Sequence, residues 1–149
     1  MLLPEKQSNY HFSYTIGINT TQEKAWNLLT NVSDWKRWDT ELIDAYIFND
    51  FKLGTKGALV PKTGPKLKFE IIEYSEGTFY TFKTKMPIGY LEIKRVLEYK
   101  EGHTFFTDDI RFTGFLKRFF GAMLGRGFKS VLPEVMNNFK NILEENKAQ

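Results

Sequence analysis

The fold turns on one stretch: Tyr90-Leu91-Glu92-Ile93-Lys94-Arg95-Val96-Leu97-Glu98-Tyr99-Lys100-Glu101-Gly102-His103-Thr104-Phe105-Phe106-Thr107-Asp108-Asp109-Ile110-Arg111-Phe112. Glu101-Gly102 has the composition of a two-residue hairpin turn, which sets Lys100 opposite His103. Leu91 then faces Phe112, Ile93 faces Ile110 and Leu97 faces Phe106, all on one side of the ladder. The other side pairs Glu92 with Arg111 and Lys94 with Asp109, opposite charges that contribute ~0.2–1 kcal/mol per pair. A slip of one residue would put Asp109 and Arg111 among the apolar side chains, so the pattern selects this register. A glycine bulge at Gly102 is the local adjustment it tolerates. In this register Arg95 falls opposite Asp108, and both sit within the apolar face.

Upstream, the same period of two continues. The hairpin around Glu76-Gly77 puts Leu67, Phe69, Ile71, Phe82, Thr84 and Met86 on one face and Lys68, Glu70, Lys83 and Lys85 on the other. Further strands are expected at 42–51 and 57–60, and Gly-containing turns link the set as an antiparallel meander. Tyr10 to Ile18 alternates as a first strand. Asn19-Thr20-Thr21 then supplies an N-cap for a helix carrying Trp26, Leu28 and Leu29, and a short turn after Asn31 holds Trp35 and Trp38.

From Phe115 to Glu145 apolar residues recur at three and four, the period of an amphipathic helix, with a kink or break expected near Gly125, Gly127 and Pro133. Phe119, Met123, Leu124, Val131 and Val135 are its expected sheet-facing residues. The order is one strand, two short helices, a six-strand meander and a long C-terminal helix. This is an α+β domain, and a curved sheet of about seven strands wrapped around that helix buries both apolar surfaces.

Composition bounds the function. At 149 residues, 42% hydrophobic and 26% charged, the chain is one ordinary globular domain spanning 1–149. With no cysteine, disulfides, iron–sulfur clusters and thiolate zinc sites are excluded. The two histidines, His11 and His103, read as surface strand-end residues without a second ligand at helical spacing, so no metal is expected. No P-loop, dinucleotide fingerprint or G-x-S-x-G elbow is present, and no cofactor is expected. A net charge of +3 is too mild to imply nucleic acid. No apolar run reaches the ~18 residues of a transmembrane helix, and Met1-Leu2-Leu3-Pro4-Glu5-Lys6 is too soon charged for a secretory leader, so the chain reads as cytoplasmic. The outlying number is aromatic content, 16% with 14 Phe, which implies a thick core or a greasy cavity.

Several segments together resemble a known superfamily. Ile18-Asn19-Thr20-Thr21-Gln22-Glu23-Lys24-Ala25-Trp26-Asn27-Leu28-Leu29-Thr30-Asn31 is similar to the first-helix signature of START-related polyketide cyclase/dehydrase and lipid-transfer proteins. Val32-Ser33-Asp34-Trp35-Lys36-Arg37-Trp38-Asp39, Leu53-Gly54-Thr55-Lys56-Gly57 and Phe139-Lys140-Asn141-Ile142-Leu143-Glu144 resemble its later segments. The resemblance covers nearly the whole chain. It implies a helix-grip fold with a cavity between sheet and C-terminal helix that holds an apolar or aromatic small molecule. It leaves the chemistry open, because the fold hosts carriers, cyclases, hydrolases and co-chaperone-like modules.

The expected ligand-binding residues are Arg95, Asp108, Phe69, Ile71, Phe82, Thr84, Leu91, Ile93, Phe106, Ile110, Phe119 and Met123. Arg95 is either a polar anchor for a carboxylate, carbonyl or phenol on an otherwise greasy ligand, with acidic aromatic ligands favoured, or half of a structural ion pair with Asp108. Trp35 or Trp38 is placed at a cavity mouth. No catalytic constellation is recognisable, so the leading reading is a carrier or sensor of a small hydrophobic or aromatic molecule. The alternatives are a cyclase or dehydratase using Arg95, Asp108 and tyrosines, and a protein-interaction module working through the basic helix and the Trp35/Trp38 surface. Residues 111–133 carry five basic side chains and no acid, interleaved with apolar ones. A solvated helix face explains that pattern, and transient membrane-surface contact through residues 115–129 is the other explanation.

Overall fold

The computed structural model describes residues 7–86, 89–115 and 117–145, and the side chains at 119, 120 and 123 also lie outside the described residues. Seven strands follow the alternating stretches: β1 His11–Ile18, β2 Leu42–Ile47, β3 Lys56–Pro61, β4 Leu67–Ser75, β5 Phe79–Lys85, β6 Tyr90–Lys100 and β7 His103–Thr113. All pair antiparallel in the order β1-β7-β6-β5-β4-β3-β2, curled into a half-barrel. The β6/β7 register is the one expected, with Lys100 opposite His103 and Arg95 opposite Asp108. Glu101 (φ 50°) and Gly102 (φ 83°) both take the left-handed conformation that this tight turn demands.

On the outer face Glu92 lies opposite Arg111 and Lys94 opposite Asp109 as expected, but the Lys94 and Asp109 charges also find other partners. His11, half-buried rather than on the surface, places Nε2 3.0 Å from Asp109 Oδ1, so β1 engages that carboxylate. Lys94 sets its Nζ 4.7 Å from the centre of the Phe79 ring.

β2 stops at Ile47, short of the expected residue 51. Thr55 Oγ1 donates to the Asp50 carbonyl at 2.6 Å and Gly54 N donates to the Ile71 carbonyl at 2.8 Å, which folds 48–55 back toward β4. Helix α1, Gln22–Thr30, begins where Thr21 Oγ1 accepts from Lys24 N at 3.1 Å, and it buries Ala25, Trp26, Leu28 and Leu29. A 3₁₀ turn, Val32–Asp34, leads into α2, Trp35–Trp38.

Because β1 and β2 occupy opposite edges of the sheet, the segment between them must cross it. α1 touches β6, and α2 touches both β2 and the C-terminal helix. Trp35 and Trp38 are thereby driven between sheet and helix and are fully buried, not at a cavity mouth.

The C-terminal helix is broken at Gly125 as expected, with the break reaching back to Gly121, while Gly127 and Pro133 sit inside a continuous helix. It runs as α3, Lys117–Phe120, a wide π turn, Gly121–Gly125, and α4, Arg126–Glu145, with Pro133 contained inside α4. The glycines explain the break: a Cβ at Gly121 would lie 2.7 Å from Tyr10 Cβ, and one at Gly125 would collide with the Asn9 carbonyl oxygen. The turn can approach the N-terminal backbone only without side chains. α4 packs against β1 and α2 through Leu132, Val135, Met136, Phe139 and Leu143. Leu124 joins this core half-buried and Val131 is half-exposed. Phe119 and Met123, expected on the same face, have side chains outside the described residues.

Candidate functional site

The helix-facing side of the sheet carries one polar cluster, centred on Arg95. Its position follows from two hairpins. β6/β7 sets it opposite Asp108, and β5/β6, closed by Met86 N donating to the Gly89 carbonyl at 3.0 Å, sets it opposite Tyr80. Arg95 is 3% exposed and Asp108 2%. The guanidinium carbon lies 4.7 Å from the Trp35 ring centre, 4.8 Å from Trp38 and 5.1 Å from Phe82. Three aromatic faces thus replace water around the cation, a favourable arrangement because each ring face is electron-rich.

Hydrogen bonding fixes the geometry further. Arg95 NH1 donates to Tyr80 Oη at 3.1 Å, while Tyr80 Oη donates to the Leu29 carbonyl at 2.8 Å. Trp35 Nε1 donates to the same carbonyl at 2.9 Å. The C-terminal end of α1 is thereby tied to the cluster. Arg95 Nε and Asp108 Oδ1 stand 3.6 Å apart, an ion pair too long for a direct hydrogen bond. Both atoms, with Trp38 Nε1 and Thr84 Oγ1, are buried without a hydrogen-bond partner. Such atoms are uncommon in folded interiors, where a lost partner costs about 1–3 kcal/mol.

The electrostatics follow from burial. Burial pushes the Asp108 carboxyl up to about 6, and attraction to Arg95 offsets only part of that. Asp39, beside the cluster at the end of α2, is also raised by burial, again with Arg95 pulling it down. The Tyr80 hydroxyl, raised to about 12 chiefly by burial, stays protonated. Burial works against the Arg95 charge, but the Tyr80 oxygen, Asp108 and Asp39 together hold its pKa above the ordinary value. The guanidinium therefore stays charged, and the carboxylates give way first on acidification.

The remaining expected lining residues do converge. Phe69, Ile71, Phe82, Thr84, Leu91, Ile93, Phe106 and Ile110 are all buried on the helix-facing side. They pack on one another, with Phe69 and Phe82 ring centres 5.2 Å apart, and on the helix, with Phe106 and Phe139 at 4.7 Å. The recesses described on the molecule lie elsewhere. One, of about 350 Å³, runs between α1, α2 and the end of α4 past Lys24, Asn27 and Arg37. A second, of about 150 Å³, lies on the outer face among Glu73, Lys94 and Arg111. Among the described residues no three His, Asp or Glu side chains gather as a metal site.

Sequence reasoning missed Tyr80, Asp39 and the caging role of Trp35 and Trp38. Tyr80 was recoverable, since counting back from Lys85 opposite Tyr90 pairs residue 80 with 95. The others are brought in by the crossing segment, whose placement has no local signature.

Similarity to known proteins agrees with this architecture. Among curated proteins none matches the chain. A START superfamily protein from Mycobacterium smegmatis is 12% identical, with a TM-score of 0.73 over 91% of this chain and 97% of that one. A protein from Nitrosomonas europaea is 14% identical, with a TM-score of 0.73 over 97% of this chain and all of that one. The di-domain ARO/CYC StfQ of the steffimycin biosynthetic pathway is 9% identical, with a TM-score of 0.74 over 94% of this chain and 52% of that chain. At these identities the likeness is one of fold. The family model described as "Polyketide cyclase / dehydrase and lipid transport" matches residues 10–144, and with that match the chain belongs to this family.

Proposed function

We propose that the protein binds a small hydrophobic or aromatic molecule between the sheet and the C-terminal helix, with Arg95 and Asp108 gripping its polar head. The family and fold support a hydrophobic ligand-binding scaffold. The observation that carries the finer reading is the pair of buried, unpartnered atoms Arg95 Nε and Asp108 Oδ1, 3.6 Å apart in an otherwise apolar face. One is a donor and the other an acceptor. A hydroxyl oxygen serves both, accepting from Arg95 Nε–H while donating to Asp108 Oδ1. A carboxylate head is disfavoured, because Asp108 and Asp39 already outnumber the Arg95 charge and a third negative charge would be buried uncompensated.

The sheet register gives the ligand a length. Thr84 Oγ1, the unpartnered hydroxyl on β5, lies four residues from the position opposite Arg95, ~13 Å along a strand at ~3.3 Å per residue. Phe82, Ile93 and Ile110 lie between, and Leu91 stands opposite Thr84 itself. The occupant in this reading is an elongated apolar body with a neutral hydroxyl at one end and a second polar group, meeting Thr84 Oγ1, at the other. Since the lining side chains are buried against one another, a ligand enters by parting helix from sheet.

Displacement of an environment-sensitive apolar dye tests this, using a matched phenol, amide and carboxylic acid as competitors. The phenol should compete best and the acid worst, and Asp108→Asn should narrow the gap by removing the negative charge that rejects the acid. Folded protein that takes up no dye, or an acid that competes as well as the phenol, overturns the reading.

A further inference from the structure

Among the described residues the most exposed large apolar side chain is Phe115, a full aromatic ring left 94% exposed. Its direction is built in. Gly114 takes φ 105°, a conformation that favours glycine, and a Cβ there would lie 2.8 Å from Gly89 Cα. The chain thus turns sharply out of β7, and Lys117 N donates back to the Gly114 carbonyl at 3.3 Å as α3 begins. The residue at the apex of that turn is held away from the core. Ordinary amphipathic packing accounts for a basic solvent side on this helix. It gives no reason for an exposed phenylalanine at its entrance.

The stretch of chain that contains it carries one sign of charge. Lys117, Arg118, Arg126 and Lys129 are all exposed, and no acidic residue occurs between 111 and 133. Arg118, Arg126 and Lys129 have no ion-pair partner among the described residues. Lys117 lays its ammonium 5.5 Å from the centre of the Tyr10 ring. An exposed aromatic beside several free cations matches the interface of an anionic bilayer, where rings settle at headgroup depth and basic side chains meet lipid phosphates and carboxylates. Nucleic acid would satisfy the cations and leave no role for a projecting apolar ring on a helix entrance.

We propose that Phe115 and the exposed Arg118, Arg126 and Lys129 dock the protein on anionic membrane surfaces, Phe115 inserting and the three cations reading the negative charge. Among the described residues no helix is long and apolar enough to cross a bilayer, so the contact is superficial and reversible. It rests on different residues from the ligand site, and each stands or falls without the other.

Vesicle co-sedimentation tests it on the full chain, comparing phosphatidylcholine vesicles with vesicles in which about a third of the lipid is phosphatidylserine. The wild type should bind the anionic vesicles selectively and release as salt rises. Arg118→Gln/Lys129→Gln should weaken binding on the order of 25-fold, about five-fold per charge removed near the surface. Phe115→Ser should weaken it by roughly ten-fold or more, by removing the inserted apolar surface. Because these side chains are exposed, urea midpoints should not move, which separates lost docking from lost fold. Absent vesicle binding, equal binding to neutral vesicles, or undiminished binding by Phe115→Ser overturns the proposal, as does retention on heparin without any on vesicles.

Discussion

Removing Asp108 is the sharpest test of the buried cluster. Asp108→Leu leaves the Arg95 guanidinium in the same dry cage of Trp35, Trp38 and Phe82, with Tyr80 Oη and the more distant Asp39 as its remaining compensation. Stranding one member of a buried pair costs ~3–5 kcal/mol. The raised pKa of Asp108 means that its own charge is buried at a cost, and with the residual attraction to Asp39 this puts the expected loss at the low end, near ~3 kcal/mol. With a urea m-value of about 2 kcal/mol/M, the midpoint should fall by roughly 1.5 M. The double variant Arg95→Met/Asp108→Leu removes both charges and fills the space with apolar atoms, so it should recover to within about 1 kcal/mol of wild type.

Arg95→Met alone should behave differently, because it strands carboxylates that escape by taking up protons. Its loss should be large at neutral pH and shrink on acidification, while the loss in Asp108→Leu should not. Urea melts of the four proteins at two pH values supply the cycle. Equal losses for Asp108→Leu and the double variant would show that Arg95 was never dependent on its partner, and the account of the cluster would fail.

The same carboxylate sets a pH dependence. Its folded pKa is raised from 3.8 to about 6, so its contribution to stability is fully present below about 3.8 and is lost as pH rises through 6. The amount is at most about 3 kcal/mol, and Asp108→Asn should flatten the stability profile between those limits relative to wild type. At the helix break, Gly125→Ala should destabilise by about 1–3 kcal/mol because its methyl collides with the Asn9 carbonyl. Gly127→Ala meets nothing within 4 Å at the start of α4 and should stabilise by ~0.5–1 kcal/mol, and thermal melts separate the two. Tyr80→Phe should cost ~1–3 kcal/mol, chiefly by taking the acceptor from Arg95 NH1, since Trp35 Nε1 still serves the Leu29 carbonyl. A loss below ~0.5 kcal/mol in a urea melt would mean that contact is replaceable.

The sequence by itself determined the ladder on which the site is built. Local chemistry decides a two-residue turn, and strict alternation leaves one register that keeps Asp109 and Arg111 out of the core, so Arg95 opposite Asp108 could be read directly. The same alternation put Phe69, Ile71, Phe82 and Thr84 on one face of β4 and β5, where the structure sets Phe69 opposite Thr84 and Ile71 opposite Phe82. It overran β2, because alternation cannot show where a loop's own hydrogen bonds, here those of Thr55 and Gly54, pull the chain off the sheet.

Tertiary structure decided what surrounds the pair. Trp35, Trp38 and Asp39 reach Arg95 only because β1 and β2 lie at opposite edges and the chain between them must cross the sheet. Gly121 and Gly125 break the last helix because residues more than a hundred positions earlier pass against them. Neither fact leaves a periodic trace. Periodicity records which side of an element is buried, whereas the identity of the group buried against it depends on contacts between distant segments, which closure of the whole chain brings together.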